Sequence, residues 1–176
     1  MPLKSFCQFC TEAIGGLSYQ QRATLQLVVW RSPDGQTYET GHPCTVPIFR
    51  NPSSNSRGHH GAHDPYAQNS EPSGRYSSYN SDPTLTAPRP GAWKVETITL
   101  DRPLVLAYGT TGPGGWKTRL STAFGGKTRE RLSRALVALG YDGIITIDTE
   151  ANEPNEIVQL GWRTGKTPRV LPEHQP

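Results

Sequence analysis

The chain has 176 residues, which suits one domain with a real core. Hydrophobic residues make up 34% and charged residues 19%, with 18 Gly and 16 Pro, so the composition describes a folded, turn-rich protein and excludes a chain disordered throughout. A net charge of +3 is too small to mark a nucleic-acid-binding surface, though it permits an anionic ligand.

No segment approaches the roughly 20 apolar residues that cross a bilayer, and the N-terminus lacks the apolar stretch of a signal peptide. The expectation is a single domain over 1–176, soluble and cytoplasmic as synthesised, without a membrane partner, with delivery by a route that needs no cleaved signal left open. Three cysteines are few and odd in number, which argues for a reducing compartment and against a disulfide framework.

In chain order, the apolar run Leu25 to Trp30 predicts a strand, stopped by Arg31-Ser32-Pro33-Asp34-Gly35, a turn signal. Its hairpin partner falls near Gln36 to Glu39. Thr45 to Phe49 predicts a further short strand, which Pro47 places at a sheet edge. From Asn51 to Pro90 the chain is loaded with Ser, Gly, Pro, Asn and His, and reads as a long polar loop. Within it, Gly74 to Tyr79 has aromatic residues at strand-like spacing.

The second half is more regular. Trp93 to Leu100 alternates with period two and predicts a strand, followed by another at Leu104 to Tyr108. The glycine-rich stretch Gly109 to Gly115 lacks the spacing and the Lys-Ser/Thr of a phosphate-binding P-loop. Leu132, Ala135, Leu136 and Leu139 form a buried helical stripe within Thr128 to Leu139, with Thr128 as N-cap and Gly140 as stop. Gly143 to Asp148 and Glu156 to Leu160 predict two more strands around a polar loop. The order predicts an α+β domain, a split pair of β-sheets with a helix packed behind.

Glu156 is the leading catalytic candidate on chemical grounds. A carboxylate opening an apolar strand sits beside a loop, facing a cleft while the residues after it anchor it. Such a group stabilises positive charge that develops on a sugar ring when a glycosidic bond breaks. A different possibility is a zinc-stapled binding module for a partner or nucleic acid. There Cys7 and Cys10 would share a metal with His42 or Cys44, against the simpler reading of buried cysteines. His59, His60 and His63 with Asp64 also carry ligand-type side chains, in a stretch whose composition reads as solvated loop.

Gly140-Tyr141-Asp142-Gly143-Ile144-Ile145, followed by Asn155-Glu156-Ile157-Val158-Gln159-Leu160, resembles the ADP-ribosyltransferases of bacterial toxins and phage proteins. Upstream, Ile98-Thr99-Leu100-Asp101-Arg102-Pro103-Leu104-Val105 is similar to that family's paired strands meeting at a Pro-Leu. The resemblance spans about 74–161. It implies a split β-sandwich that takes NAD as substrate, releases nicotinamide and moves ADP-ribose to a protein or nucleic-acid acceptor, with Glu156 as the catalytic carboxylate. It further implies an arginine at an early strand end on the pyrophosphate, either Arg31 or Arg50, because a guanidinium grips phosphate oxygens in a fork. Tyr76 and Ser77 would flank the nicotinamide and its ribose, with Ser77 bonded to the glutamate. Many members carry a second glutamate or glutamine two residues before the catalytic one. Here that position is Pro154, and Glu153 lies three before. A guanidino acceptor is therefore disfavoured, leaving another side chain, a nucleobase, or water as in an NAD hydrolase.

Overall fold

A computed structural model describes residues 16–50, 71–81, 94–109 and 114–161. The first helix, α1 (Tyr19–Leu25), begins in a capping box: the Ser18 hydroxyl accepts from Gln21 N at 3.1 Å and the Gln21 side chain accepts from Ser18 N at 2.9 Å. The strand expected from Leu25 is thus displaced. Leu25 closes the helix, Gln26 turns the chain with φ 56°, and only Trp30 of that run enters β1 (Trp30–Arg31). The residues between still run extended, with Val28 N donating to Val105 O at 3.2 Å and Ala107 N to Gln26 O at 3.0 Å.

β1 pairs with β2 (Thr37–Tyr38) across the expected turn. Gly35 N donates to Ser32 O at 2.9 Å with Gly35 at φ 89°, a conformation that glycine adopts without strain. The remaining strands form one six-stranded sheet in the order β5-β3-β4-β8-β7-β6. Its members are β3 (Cys44–Arg50), β4 (Arg75–Tyr79), β5 (Lys94–Leu100), β6 (Pro103–Ala107), β7 (Gly143–Asp148) and β8 (Glu153–Gln159). All neighbours are antiparallel except β6 and β7, which are parallel and therefore need a crossover. Two helices supply it, α2 (Trp116–Ala123) and α3 (Arg129–Ala138). The architecture is α+β, with the expected helix behind the sheet and, among the described residues, two more besides.

Strand alternation divides the apolar side chains between two cores. On the helix side lie Leu104, Leu106, Ile144, Val158 and Tyr76 from the sheet, met by Leu25, Trp116, Leu120, Leu132 and Leu136. On the other side lie Val46, Ile48, Leu100, Val105, Ile145 and Ile157, covered by Trp30 and Tyr38 of the ribbon. That second set draws on both ends of the strand order, so the sheet bends around it. Burying each large aliphatic side chain in these cores stabilises the fold by roughly 1.5–3 kcal/mol.

Two further expectations are corrected. Pro47 is not on an edge strand, since β3 lies between β5 and β4. It is tolerated because its carbonyl accepts from Asn80 N at 3.1 Å, just past the end of β4, so the N–H that proline lacks points where that ladder has already stopped. Glu156 does not open its strand: β8 starts three residues earlier, with Glu153 paired to Asp148 and Pro154 to Ile147. Within the polar stretch at 51–90, Gly74 to Tyr79 yields β4, in keeping with its strand-like spacing; the rest, apart from 71–81, lies outside the described residues. So do Cys7, Cys10, His59, His60, His63 and Asp64. Cys44 is buried in the second core, and burial pushes its thiol up to about 12. His42 lies 3.6 Å from the Glu39 carboxylate, an ion pair only when the imidazole is protonated.

Candidate active site around Glu156

The backbone at Glu156 is fixed by a side chain. The β7–β8 ladder shifts register between Ile145 and Ile147, leaving Thr146 opposite a bulge. The Thr146 hydroxyl fills the gap in both directions: it accepts from Glu156 N at 2.9 Å and donates to Glu156 O at 3.1 Å. Thr146 has no solvent exposure, so both bonds are made in a dry environment where leaving them unmade is costly.

With the backbone held, the Glu156 side chain projects to the helix side and meets the start of α2. Trp116 Nε1 donates to Glu156 Oε2 at 2.7 Å, and Lys117 Nζ lies 3.5 Å from Oε1. Lys117 is shared, because its ammonium is also 3.4 Å from Glu71 Oε2. The three charged side chains are 15%, 9% and 6% exposed for Glu156, Lys117 and Glu71. The ammonium also sits 5.3 Å from the Tyr76 ring centre and 5.5 Å from that of Trp116, which adds cation–π attraction from both. Tyr76 is fully buried, donates its hydroxyl to Pro72 O at 2.7 Å, and stays a neutral phenol because burial raises its pKa well above the usual range.

One lysine cannot fully compensate two buried carboxylates. Burial pushes the Glu71 carboxyl up to about 7; Lys117 opposes the rise and the charge on Glu156 adds to it. The cluster therefore pairs a carboxylate anchored by indole and ammonium with a second carboxyl that exchanges its proton near neutrality. Such a pair is equipped for proton transfer beside a developing cation.

Of the residues predicted from sequence, the fold brings Glu156 and Tyr76 into this cluster. Ser77 lies on the opposite face, since it pairs with Ile157 of the second core, and its buried hydroxyl has no hydrogen-bond partner among the described residues. The cross-strand partner of Glu156 is Ser78, so the hydroxyl beside the glutamate is one residue further along than expected. Arg31 is exposed on the two-stranded ribbon, which covers the face of the six-stranded sheet opposite Glu156. Arg50 is the last residue of β3, the strand next to β4. Glu71, Trp116 and Lys117 were not anticipated. Trp116, Leu120 and Phe124, four apart, carry the signal that reveals α2; Glu71, in a polar stretch ahead of Pro72, gives none.

The Gly140-Tyr141-Asp142-Gly143 motif has a structural account. Asp142 accepts from Asp101 N at 2.6 Å and Arg102 N at 3.0 Å, tying the entry of β7 to the β5–β6 turn. The Arg102 guanidinium covers the buried Tyr141 ring at 5.9 Å. Gly140 has φ 89°, and a Cβ on Gly143 would lie 2.7 Å from Leu100 and 3.1 Å from Val158 O, so both glycines are needed for the turn and the close strand approach.

Comparison of the chain with protein-family models, curated proteins and solved structures finds no match to any of them.

Proposed function

We propose that this chain is an ADP-ribosyltransferase that cleaves NAD at the nicotinamide–ribose bond, with Glu156 as the catalytic carboxylate and a split-sheet fold of that type. The observation that carries the reading is the strand order. β3, ending in Arg50, lies beside β4, carrying Tyr76 and Ser78, which lies beside β8, carrying Glu156. A hydroxyl strand and a glutamate thus lie side by side in one sheet, with Ser78 rather than Ser77 opposite Glu156 for the ribose. Arg50 stands two residues after Ile48, a position of the ribbon-side face, so the order does not choose between Arg31 and Arg50 for the pyrophosphate.

The residues around Glu156 suit the nicotinamide end of NAD. Two carboxylates and one lysine leave up to one net negative charge, which complements a cationic ring and the sugar cation that forms as the bond breaks. Trp116 and Lys117 orient Glu156. Glu71 is placed to receive the proton that an acceptor loses on attack. The same groups serve water as acceptor, which gives a second reading as an NAD hydrolase.

The test is incubation with labelled NAD, with and without separate protein, RNA and DNA pools. Wild type should release nicotinamide, and label in one pool identifies the acceptor. Glu156→Gln should lower turnover by about 10²–10³-fold, the scale for loss of one preorganised electrostatic group, while NAD still protects the variant against heat. Glutamine can still accept the Trp116 N–H, so the fold should persist. Nicotinamide release no faster than that of Glu156→Gln, in every pool and with none, overturns the proposal. Glu153→Gln, at an exposed neighbouring position, should remain active.

A further inference from the structure

The ribbon face of the molecule holds a second candidate site, independent of Glu156 and of the NAD reading. A cavity of about 270 Å³ opens between the β1–β2 hairpin, the ends of β3 and β4, and the β7–β8 turn. Trp30, Tyr38, Tyr79 and Pro47 supply its apolar walls, and Asp34 and Glu153 its charge. The rings are fixed. Trp30 stacks on its cross-strand partner Tyr38 at 5.3 Å and 14°, and its Nε1 donates to Asn152 O at 3.0 Å. Tyr79 meets Trp30 at 6.1 Å and 80°, so two ring planes form a near-perpendicular corner backed by a third ring.

The electrostatics of this corner are negative. Hydrogen bonds from the Ser32 hydroxyl and from Gln36 N hold the Asp34 carboxyl below the usual range, so it stays ionised. Among the described residues, neither Asp34 nor Glu153 forms an ion pair. Both carboxylates, after burial, push the Tyr79 phenol upwards. The electron-rich faces of the rings add to the same field.

We propose that this cavity binds a quaternary ammonium head group. Its volume of about 270 Å³ suits a head group. The rings decide between cations: a quaternary ammonium has no N–H donors to satisfy and gives up weak hydration for aromatic faces, whereas a guanidinium would also seek the Glu153 carboxylate, which makes arginine amide the competitor in the test. The head group belongs either to a free small molecule or to a methylated lysine of a partner chain.

The test is calorimetric titration of the full chain with choline, with its neutral isostere 3,3-dimethyl-1-butanol, and with a peptide carrying trimethyllysine or unmodified lysine. Choline should bind about tenfold or more tightly than the neutral isostere, the scale of a desolvated cation–π contact. Glu153→Gln, at an exposed position that does not threaten folding, should weaken choline severalfold. Tyr79→Leu should weaken it about tenfold and leave the isostere unchanged. If the trimethyllysine peptide matches choline and exceeds the lysine peptide, the site reads a partner chain; if only choline binds, it reads a free cation. Equal binding of choline and its isostere, tighter binding of arginine amide than of choline, or no choline binding at tens of millimolar each overturns the proposal.

Discussion

The two faces of the six-stranded sheet are built from the same strands and solved differently. β8 gives Ile157 to one side and Glu156 and Val158 to the other, and β4 likewise gives Ser77 to one and Tyr76 to the other. Around Val105, Ile145 and Ile157 the ribbon-side core is held by apolar contact. On the helix side an equally apolar core surrounds three charges shared by Glu71, Lys117 and Glu156. The contrast teaches that the helix side carries its charges for little gain in stability: buried ion clusters are weak stabilisers, and apolar replacements of similar volume often match or exceed them.

That contrast breaks most sharply at Lys117. Lys117→Met keeps the stem but leaves two buried carboxylates uncompensated, and should cost about 3–5 kcal/mol in urea unfolding at pH 8. The loss should shrink at pH 5, where Glu71 is protonated. A loss under about 1 kcal/mol, equal at both pH values, would show that the charges are not an energetic unit.

Next in size is a pH effect carried by Glu71. Its folded value of about 7 exceeds the ordinary 4.5, so the native state binds the proton more tightly than the unfolded chain does. The resulting stabilisation is complete below about pH 4.5 and is lost as pH rises through 7, by at most about 3 kcal/mol. Glu71→Gln should remove this slope from a plot of Tm against pH. A slope that survives the substitution assigns it to another group.

The smallest effect tests the dry side. Ser77→Ala removes a buried hydroxyl without a partner among the described residues, so stability should hold or rise by up to about 1 kcal/mol, with activity unchanged. Loss of activity would put Ser77, against its register, back beside the glutamate.

Much of this was legible in the sequence because it rests on local signals. The Pro33-Asp34-Gly35 turn, the stripe Leu132-Leu136, and the alternation through Trp93 to Leu100 each lie within one element, and each appears where expected, β5 beginning at Lys94. The misses have two causes: a local helix signal that overrode β-like composition, and strand pairing that overrode loop-like composition. Leu25 to Trp30 is β-like in content, yet Ser18 and Gln21 had already set a helix running into it. Glu153-Pro154-Asn155 reads as loop, but pairing with β7 draws it into β8 and moves Glu156 from the strand's start to its middle. Glu156 was found by its position in a motif. Its partners Glu71 and Lys117 are distant in sequence from it and from one another, and only the fold assembles them.

One topological feature has consequences for folding kinetics. β4 alone joins the β5-β3 pair to the β8-β7-β6 group, since among the described strands those two groups share no other ladder. Ser78 finds Glu156 across nearly half the chain, a closure of high contact order that slows folding relative to a local hairpin. Until β4 docks, β3 and β8 each present an unpaired edge, the surface on which strands of separate molecules zip together. The short strand that lies beside Glu156 is therefore also the latch that keeps the half-folded chain from pairing with its neighbours.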